Sequence, residues 1–560
     1  MSLNLKQHKQ DLLFLPLGGA GEIGMNLNLY YYQGKWLMVD LGIGFAEDNM
    51  PGIDILVPNP EGFLPYKDDL VGLVLTHAHE DHLGAVQYLW EVFKMPIYAT
   101  KFTANFLRAK LAEYSFAKQV KIIEVEANSS FNIKPFDIEF LQLNHSIPEM
   151  NALILKTKQG KILHTGDWKF DINPVIGEPD DYKALKKLGD DGVLALVCDS
   201  TNVFSKGHSG SEGDLRESLK NIIKAQEKLV VVATFASNIG RLETIIKAAE
   251  YAGRKVVVCG RSIERAIRVA KESGYLKDIK PLISRDKIKK YRREELLILS
   301  TGCQGETNAA MSKIANNIHP NVKLLPKDTV IFSSKIIPGN DKKIYALFNQ
   351  LARKGIYTMT ERDHFVHVSG HPNRDELIKM YELIQPKIAI PVHGETTHIY
   401  EHAALAEEMG VRQAARISDG VCMKISNDGI ERVGDVATGY LGVDGNVLIE
   451  PESDIMRARR KISAAGVVII NILLDYEGNY VKTPQIIAPG LLSDKDDDDI
   501  LAELEDYLDN NLPEPIISNK RKAGFSTANI EIAAIKLAKR FLSDNLRKYP
   551  LIEVVINIVE

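Results

Sequence analysis

The stretch LTHAHEDHLGA, residues 75–85, decides the fold that we expect of this chain. Three histidines and two acids occupy the six positions from His77 to His82, in a chain that has only 14 histidines. The stretch continues an apolar run, LVGLV, that is typical of a buried strand. Histidines two positions apart can converge on one metal ion, while the adjacent Asp81 and His82 can face a second. Because imidazole and carboxylate are ligands for zinc or manganese, we predict a metal site rather than an exposed polar loop.

Other ligand-type residues follow apolar, strand-like runs in the same way. His145 follows FLQLN, Asp167 follows KILHTG, Asp199 follows VLALVC and His393 follows IAIPV. Because strand ends lie together at one edge of a sheet, we expect these side chains to join the histidine-rich loop. Asp40, after KWLMV, is either an acid that orients that loop or an ordinary turn aspartate.

Composition indicates a multidomain soluble protein. The chain has 560 residues, 45% of them hydrophobic, and a net charge of -5, which argues against nucleic-acid binding through bulk basic charge. Its four cysteines form no CxxC pair, so neither a disulfide framework nor a thiolate zinc site is indicated. The polar N-terminus lacks the apolar core of a signal peptide, and no apolar run is long enough to span a bilayer. We therefore expect a cytoplasmic protein without a membrane segment.

The hydrophobic pattern changes along the chain and divides it into segments. Short strand-like runs fill 1–206, strands and helices alternate over 207–363, and strand-like runs return over 364–448. Alternating strands and helices predict a parallel α/β unit. Residues 449–460 resemble a linker, and 461–560 predict a small α+β domain.

A glycine-rich stretch near the start, GGAGEIG, contains the GxGxxG pattern at Gly19, Gly21 and Gly24. A dinucleotide-binding loop requires a helix to begin at this turn. The following MNLNLYYYQGKWLMVD is strand-rich instead, so we favour a tight turn lining a cleft over a nucleotide site.

These residues together resemble the metallo-β-lactamase superfamily, whose ordered signature is HxHxDH followed by positions matching His145, Asp167 and His393. DST at 199–201, SGH at 369–371 and PVHGE at 391–395 are similar to the extra motifs of its β-CASP branch, which processes nucleic acids. With GGAGEIGMN, DSTNV, TFASNIGR and HVSGH, nearly the whole chain resembles the bacterial ribonuclease J family. The resemblance implies an α/β fold: an αββα metallo-β-lactamase sandwich (1–206 and 364–448), an inserted β-CASP domain (207–363) and a C-terminal α+β domain (461–560).

The resemblance also implies two metal positions, with two Zn²⁺ per subunit or Mn²⁺ in their place. Asp167 would bridge the two ions. One ion would take His77, His79 and His145, and the other Asp81, His82 and His393.

Catalytic and substrate-binding residues follow from the same resemblance. His371 is the expected general acid, with Asp199 orienting it and Asp81 steering the nucleophile; the alternative for His371 is a structural loop histidine. A pocket for a 5′ monophosphate is implied at Thr234, Phe235, Ala236 and Ser237 and at His367, Val368, Ser369, Gly370 and His371.

The implied function is a metal-dependent exo- and endoribonuclease that degrades single-stranded RNA from a 5′-monophosphate end in RNA maturation and mRNA decay. Two alternatives remain: a small-molecule hydrolase of the same superfamily, and a non-catalytic RNA-binding scaffold. The basic clusters RARRK (457–461) and NKRK (519–522) could contact RNA, although a solvated surface is favoured for each. The resemblance further implies a homodimer or homotetramer and partners in an RNA-degradation complex.

Overall fold

The computed structural model describes residues 3–47, 49–337, 339–492, 497–514, 516–517 and 525–559. The chain folds into two compact units. The first comprises Met1–Gly44 and Val57–Gly439, and the second comprises Phe45–Leu56 and Tyr440–Glu560. The basic cluster at 519–522 lies outside the described residues.

Two mixed β-sheets form the body of the first unit. The order in the first sheet is Gly429–Asp435, Val421–Ser426, Leu12–Gly18, Leu27–Tyr32, Lys35–Val39, Leu70–Val74, Ile97–Ala99 and Ile122–Glu124. The order in the second is Ser130–Ile133, Phe136–Gln142, Asn151–Thr157, Gly160–His164, Ala195–Asp199, Ile388–Val392 and Gln413–Ala414.

The two sheets pack face to face through their apolar side chains. Phe14 and Tyr30 of the first sheet belong to the same buried cluster as Phe136, Phe140 and Leu153 of the second. The other face of the second sheet packs against helices Tyr182–Asp190, Arg374–Ile384 and Thr396–Glu408. Helices Glu80–Leu83, Val86–Phe93 and Lys101–Leu111 accompany the first sheet. The expected sandwich is therefore present.

A third sheet is formed by the part of the chain that separates the two sequence segments of the sandwich. Its five strands are all parallel, in the order Lys255–Cys259, Leu296–Ser300, Val230–Ala233, Thr329–Phe332 and Tyr357–Met359. The accompanying helices are Glu212–Lys224, Ile239–Tyr251, Arg261–Ser273, Ala310–Ala315 and Asp341–Arg353. Strands and helices alternate as predicted, because each β-branched run must be covered on both faces.

The glycine-rich stretch forms a tight turn, as expected. Ala20–Gly21 pairs in parallel with Gly394–Glu395, and the next regular element is the strand Leu27–Tyr32 rather than a helix. Gly19 has a φ of +87°, a conformation that favours glycine. Its carbonyl accepts the backbone N–H of His393 at 2.6 Å, so this turn supports the last of the predicted metal ligands.

The second unit contains a three-stranded sheet, in the order Gln485–Ile487, Val467–Leu474 and Leu551–Ile558. A four-stranded sheet has most of its residues in the same unit, in the order Val447–Ile449, Tyr440–Asp444, Ile55–Pro58 and Gly44–Phe45. Its helices are Asp454–Ala465, Asp497–Asn511 and Ala528–Leu546, and a small pair of strands joins Ile516–Ile517 to Phe525–Ser526. Short 3-10 helices elsewhere are Leu5–Gln7, Glu61–Asp69, Ala117–Gln119, Arg285–Lys290 and Arg293–Glu295.

The segment predicted to be a linker, 449–460, is largely helical. The Ser453 hydroxyl accepts the backbone N–H of Met456, which caps the helix, and the Met456 side chain is fully buried. Within RARRK, Arg457 pairs with Asp454 and Arg459 with Asp444, so much of that basic charge is neutralised locally. Among the described helices, none has the length and apolar character that crossing a bilayer demands.

Candidate metal centre

The predicted metal ligands meet at one edge of the sandwich. Their nitrogen and oxygen atoms form two groups, each with all its members within 4.8 Å of one another, and Asp167 belongs to both. The first group, here called the histidine set, contains His77, His79 and His145; the second, here called the mixed set, contains Asp81, His82 and His393. These are the two sets that the resemblance implies. His77 and His79 lie on the loop after the strand Leu70–Val74, and Asp81 and His82 lie in the short helix Glu80–Leu83 that follows it. His145, Asp167 and His393 each come shortly after the end of another strand.

The histidine set presents three imidazole nitrogens to a common point. His79 Nδ1 lies 3.1 Å from His77 Nε2 and 2.9 Å from His145 Nε2. Ligands placed 2.0–2.1 Å from a tetrahedral zinc ion are separated by roughly 3.3 Å, so the spacing suits one such ion. Burial lowers the pKa of His77 and His145 well below the usual range and that of His79 to about 4. Neutral imidazoles with free lone pairs are what a cation requires.

The mixed set surrounds the same carboxylate. Asp167 Oδ2 lies 3.1 Å from His82 Nε2, 3.8 Å from His145 Nε2 and 3.9 Å from His77 Nε2, a position from which it can serve both sets. Asp167 Oδ1 is buried and lies 2.8 Å from His393 Nδ1, without a hydrogen bond of acceptable geometry.

The mixed set also attracts positive charge. Burial opposes protonation of His82 and His393, but the surrounding carboxylates, chiefly Asp167, outweigh it and raise both pKa values well above the usual range. Burial would raise the pKa of Asp167, yet His393 and His82 hold it well below the usual range. The nitrogen and oxygen atoms of the mixed set therefore also suit a divalent cation.

Asp40 and Thr76 orient the ligands from behind. Asp40 is 1% exposed and accepts three hydrogen bonds: from the Thr76 backbone N–H at 2.8 Å, the Thr76 hydroxyl at 2.8 Å and His82 Nδ1 at 2.7 Å. Because the Thr76 hydroxyl gives its proton to Asp40, it accepts from His77 Nδ1 at 2.9 Å. Both predicted ligand histidines thus carry a proton on Nδ1 and turn Nε2 toward Asp167. Asp40 has the orienting role expected for it, rather than that of an ordinary turn residue.

The backbone of the HVSGH motif orients a third ligand. His145 Nδ1 donates to the Gly370 carbonyl at 2.5 Å, which leaves His145 Nε2 for the centre. A Cβ at position 370 would lie 2.9 Å from His145 Cε1 and 2.8 Å from Ser146 Oγ, so only glycine allows this approach. Gly370, predicted to line the phosphate pocket, therefore also holds one of the predicted metal ligands in place.

The candidate acid lies beside the two sets. His371 Nδ1 donates to Asp199 Oδ2 at 2.8 Å, and Asp199 Oδ1 accepts the backbone N–H and hydroxyl of Thr201 at 2.8 and 2.6 Å. Burial opposes protonation of His371, but the Asp199 carboxylate raises its pKa above the usual value. His371 is 24% exposed, so it can reach a substrate.

Some of the residues predicted to line the 5′-phosphate pocket are buried or already hydrogen-bonded within the protein. Thr234 is 2% exposed and its hydroxyl donates to the Ser333 carbonyl, and the Val368 side chain is buried. The Ser369 hydroxyl accepts from the Asn202 side chain at 2.8 Å, so it helps to hold its own loop. Half-buried and available are Phe235, Ala236, Ser237 and His367.

The sequence analysis did not identify the charged side chains that are buried beside the loop of the HVSGH motif. Arg241 is 1% exposed and pairs with Glu212, while Glu376, also 1% exposed, accepts the Ser209 backbone N–H and hydroxyl at 2.8 and 2.7 Å. Arg241 ends the TFASNIGR motif, so the motif itself was the available signal, although nothing in it indicates which way the side chain points.

Four family models match the chain. They are the beta-lactamase superfamily domain over residues 48–180, the ribonuclease J beta-CASP domain over 227–351, the Zn-dependent metallo-hydrolase RNA specificity domain over 358–415 and the ribonuclease J C-terminal domain over 454–559.

Several curated relatives match most of the chain. A ribonuclease J of Sinorhizobium meliloti is 39% identical over 86% of this chain and 86% of its own. Ribonuclease J 1 of Streptococcus pyogenes is 34% identical over 98% of both chains, and ribonuclease J2 of Bacillus subtilis is 31% identical over 98% of this chain and 99% of its own. A solved structure of a protein of unknown function from Enterococcus faecalis covers 74% of this chain and all of its own, with a TM-score of 0.51 and 16% identity, which is a likeness of fold alone.

Proposed function

Because this chain belongs to the ribonuclease J family of metallo-β-lactamase nucleases, we propose that it hydrolyses RNA phosphodiester bonds with two divalent cations, Zn²⁺ or Mn²⁺. One observation carries the proposal: two groups of ligand atoms share Asp167, next to the His371–Asp199 pair. Two cations in such a site activate a water molecule and polarise the phosphate that they bind.

The protein's own residues would then orient the substrate and move the proton. His371 keeps its Nδ1–H on Asp199, so its Nε2 is the atom that would protonate the departing 3′ oxygen. Asp81 Oδ2 lies 3.2 Å from His393 Nε2, where it would fix the mixed set and steer the nucleophile. The fixed hydrogen bonds of Asp40 and Gly370 hold the ligand histidines before substrate arrives, which reduces the rearrangement needed for reaction.

We further propose 5′-to-3′ release of mononucleotides from 5′-monophosphorylated single-stranded RNA, together with some internal cutting, in RNA maturation and mRNA decay. The half-buried residues His367 and Ser237 support a pocket for the terminal phosphate. Internal cutting requires a strand to pass through the cleft without anchoring its end.

The proposal is tested with RNA that carries a labelled 5′ monophosphate, in Zn²⁺ or Mn²⁺. Wild-type protein should release labelled mononucleotide, and the variant Asp81→Ala/His82→Ala should not. A matched control is His8→Ala/Asp11→Ala, which removes a half-buried histidine–aspartate pair joined at 2.8 Å that belongs to neither set, and should retain full activity. Circular RNA of the same sequence measures internal cutting separately.

The alternative functions predict different results in the same assay. A scaffold would bind RNA and leave it intact in wild type and variant alike, and a small-molecule hydrolase would not bind RNA. Either result would overturn the proposed activity.

We propose that the protein assembles as a homodimer or homotetramer, joins other proteins of an RNA-degradation complex, and works in the cytoplasm. All four cysteines are buried as free thiols, which supports a reducing compartment. Light scattering of the purified protein measures the number of subunits directly.

A further inference from the structure

We propose that Arg241 is a positioning residue that fixes the tautomer of His367, so that His367 Nε2–H donates to the terminal 5′ phosphate of the RNA. This inference rests on the function proposed above.

Arg241 holds the HVSGH loop through a fully used guanidinium group. Its Nε and Nη2 donate to the two carboxylate oxygens of Glu212 at 2.5 and 2.9 Å. The two hydrogens of Nη1 are shared among the Ser333 hydroxyl at 2.8 Å, the Ser333 carbonyl at 3.1 Å, the Val366 carbonyl at 3.5 Å and the ring of His367. Its Nη2 also reaches the Val368 carbonyl at 3.4 Å. Because Glu212 neutralises it and its exposure is 1%, Arg241 itself does not contact the substrate.

Arg241 also contacts the ring of His367, with 3.3 Å between Nη1 and Nδ1. A guanidinium has donors only, so His367 Nδ1 must accept. In a neutral imidazole the other nitrogen then carries the proton. Burial, followed by the charge of Arg241, holds the pKa of His367 well below its usual range, which keeps the ring neutral.

His367 carries its proton on the opposite ring nitrogen from the histidines of the candidate metal centre. His82, His145 and His371 each place Nδ1 against an oxygen that can only accept, at 2.7, 2.5 and 2.8 Å. Those rings leave Nε2 for a cation or, in His371, for the proton that it would transfer. His367 presents an N–H instead, which suits an anion.

His367 is placed to use that donor. Its ring is half-buried, and among the residues that the structure describes its Nε2 has no hydrogen-bond partner. The same loop supplies the Gly370 carbonyl to the metal ligand His145. A phosphate monoester bound at His367 would therefore lie within one loop of the metal centre, which is the geometry that release of single nucleotides needs.

Two substitutions of His367 distinguish the roles of its two ring nitrogens. His367→Gln places an amide donor near the Nε2 position, whereas His367→Asn places it near Nδ1, opposite Arg241. We expect the glutamine variant to keep most of the wild-type preference in kcat/KM for 5′-monophosphate over 5′-hydroxyl RNA. The asparagine variant should lose about 10- to 100-fold of it, as expected when a hydrogen bond to a charged group is lost.

The tautomer is measured directly by ¹⁵N NMR of the histidine-labelled full chain, with His367→Gln identifying the resonance. We expect a protonated Nε2, a bare Nδ1, and a shift of the Nε2 resonance on adding inorganic phosphate. Arg241→Lys keeps the charge against Glu212 but cannot reach both partners, so the variant should show mixed tautomers.

A bare Nε2 in the wild type, or a preference retained by asparagine and lost by glutamine, would overturn the inference. If wild type does not distinguish 5′-monophosphate from 5′-hydroxyl RNA, the proposed exonuclease specificity fails, and the spectrum still decides the tautomer.

Discussion

Asp40→Asn should weaken metal binding at both positions while leaving the fold in place. Asn has nearly the shape of Asp and tolerates the left-handed backbone at this position, where φ is +62°. Its oxygen can still accept the Thr76 backbone N–H. Its amide nitrogen, however, would face the two donors that Oδ2 now accepts, the Thr76 hydroxyl and His82 Nδ1.

Those two donors reverse their roles in the variant. His82 would have to accept at Nδ1 and carry its proton on Nε2. The Thr76 hydroxyl would turn its proton toward His77 Nδ1, so His77 would also carry its proton on Nε2. Each ligand thereby loses the lone pair that faces the centre. The loss of a partner behind a ligand costs about 10- to 100-fold in metal affinity, and we expect that loss in each set.

The stability cost should be smaller than the metal effect. One rearranged buried hydrogen-bond group costs about 1–3 kcal/mol in the free energy of unfolding. The assay combines chelator competition for Zn²⁺, release of labelled mononucleotide and thermal unfolding. Asp69→Asn is the matched control, because Asp69 is exposed and, among the described residues, its carboxylate accepts a hydrogen bond from Lys35 alone. An Asp40→Asn protein that binds both ions as tightly as wild type would refute the tautomer argument.

Three further predictions follow from the same centre. Asp199→Asn removes the carboxylate that raises the pKa of His371. Because a general acid must be protonated, the fall of kcat/KM at high pH should move to lower pH. An unchanged pH profile would exclude His371 as the acid. Gly370→Ala should displace His145 and lower both metal content and activity at least tenfold, whereas Gly240→Ala, with no neighbour closer than 3.6 Å, should behave as wild type. Removing metal with a chelator should abolish activity and lower stability by about 4 kcal/mol for each ion previously present at 1,000 times its Kd; Zn²⁺ or Mn²⁺ should restore both, and an unchanged unfolding temperature would count against resident ions.

Much of the site was predictable because its ligands stand at strand ends. His145, Asp167 and His393 each follow an apolar run, and sheet geometry brings such positions to one edge whatever their separation in sequence. The parallel insert was predictable for a similar reason, since strands buried on both faces read as continuous apolar runs.

The supporting contacts were not predictable from the pattern. Whether Gly370 offers its N–H or its carbonyl depends on the direction of one peptide plane, and here the carbonyl faces His145. Arg241 lies on a helix whose apolar face gives no sign that an ion pair is buried there. The helix at Asp454–Ala465 was hidden by its charged composition, because a single buried residue, Met456, anchors it.

The distance along the chain between Asp81 and His393 has a consequence for timing. The two residues are 312 positions apart, and at roughly 5–20 residues per second a ribosome needs about 15–60 s to pass from one to the other. Once Asp167 has been made, the growing polypeptide has the histidine set but lacks His393 and the strand Ile388–Val392 that places it. The candidate centre therefore cannot be complete until the ribosome has passed His393.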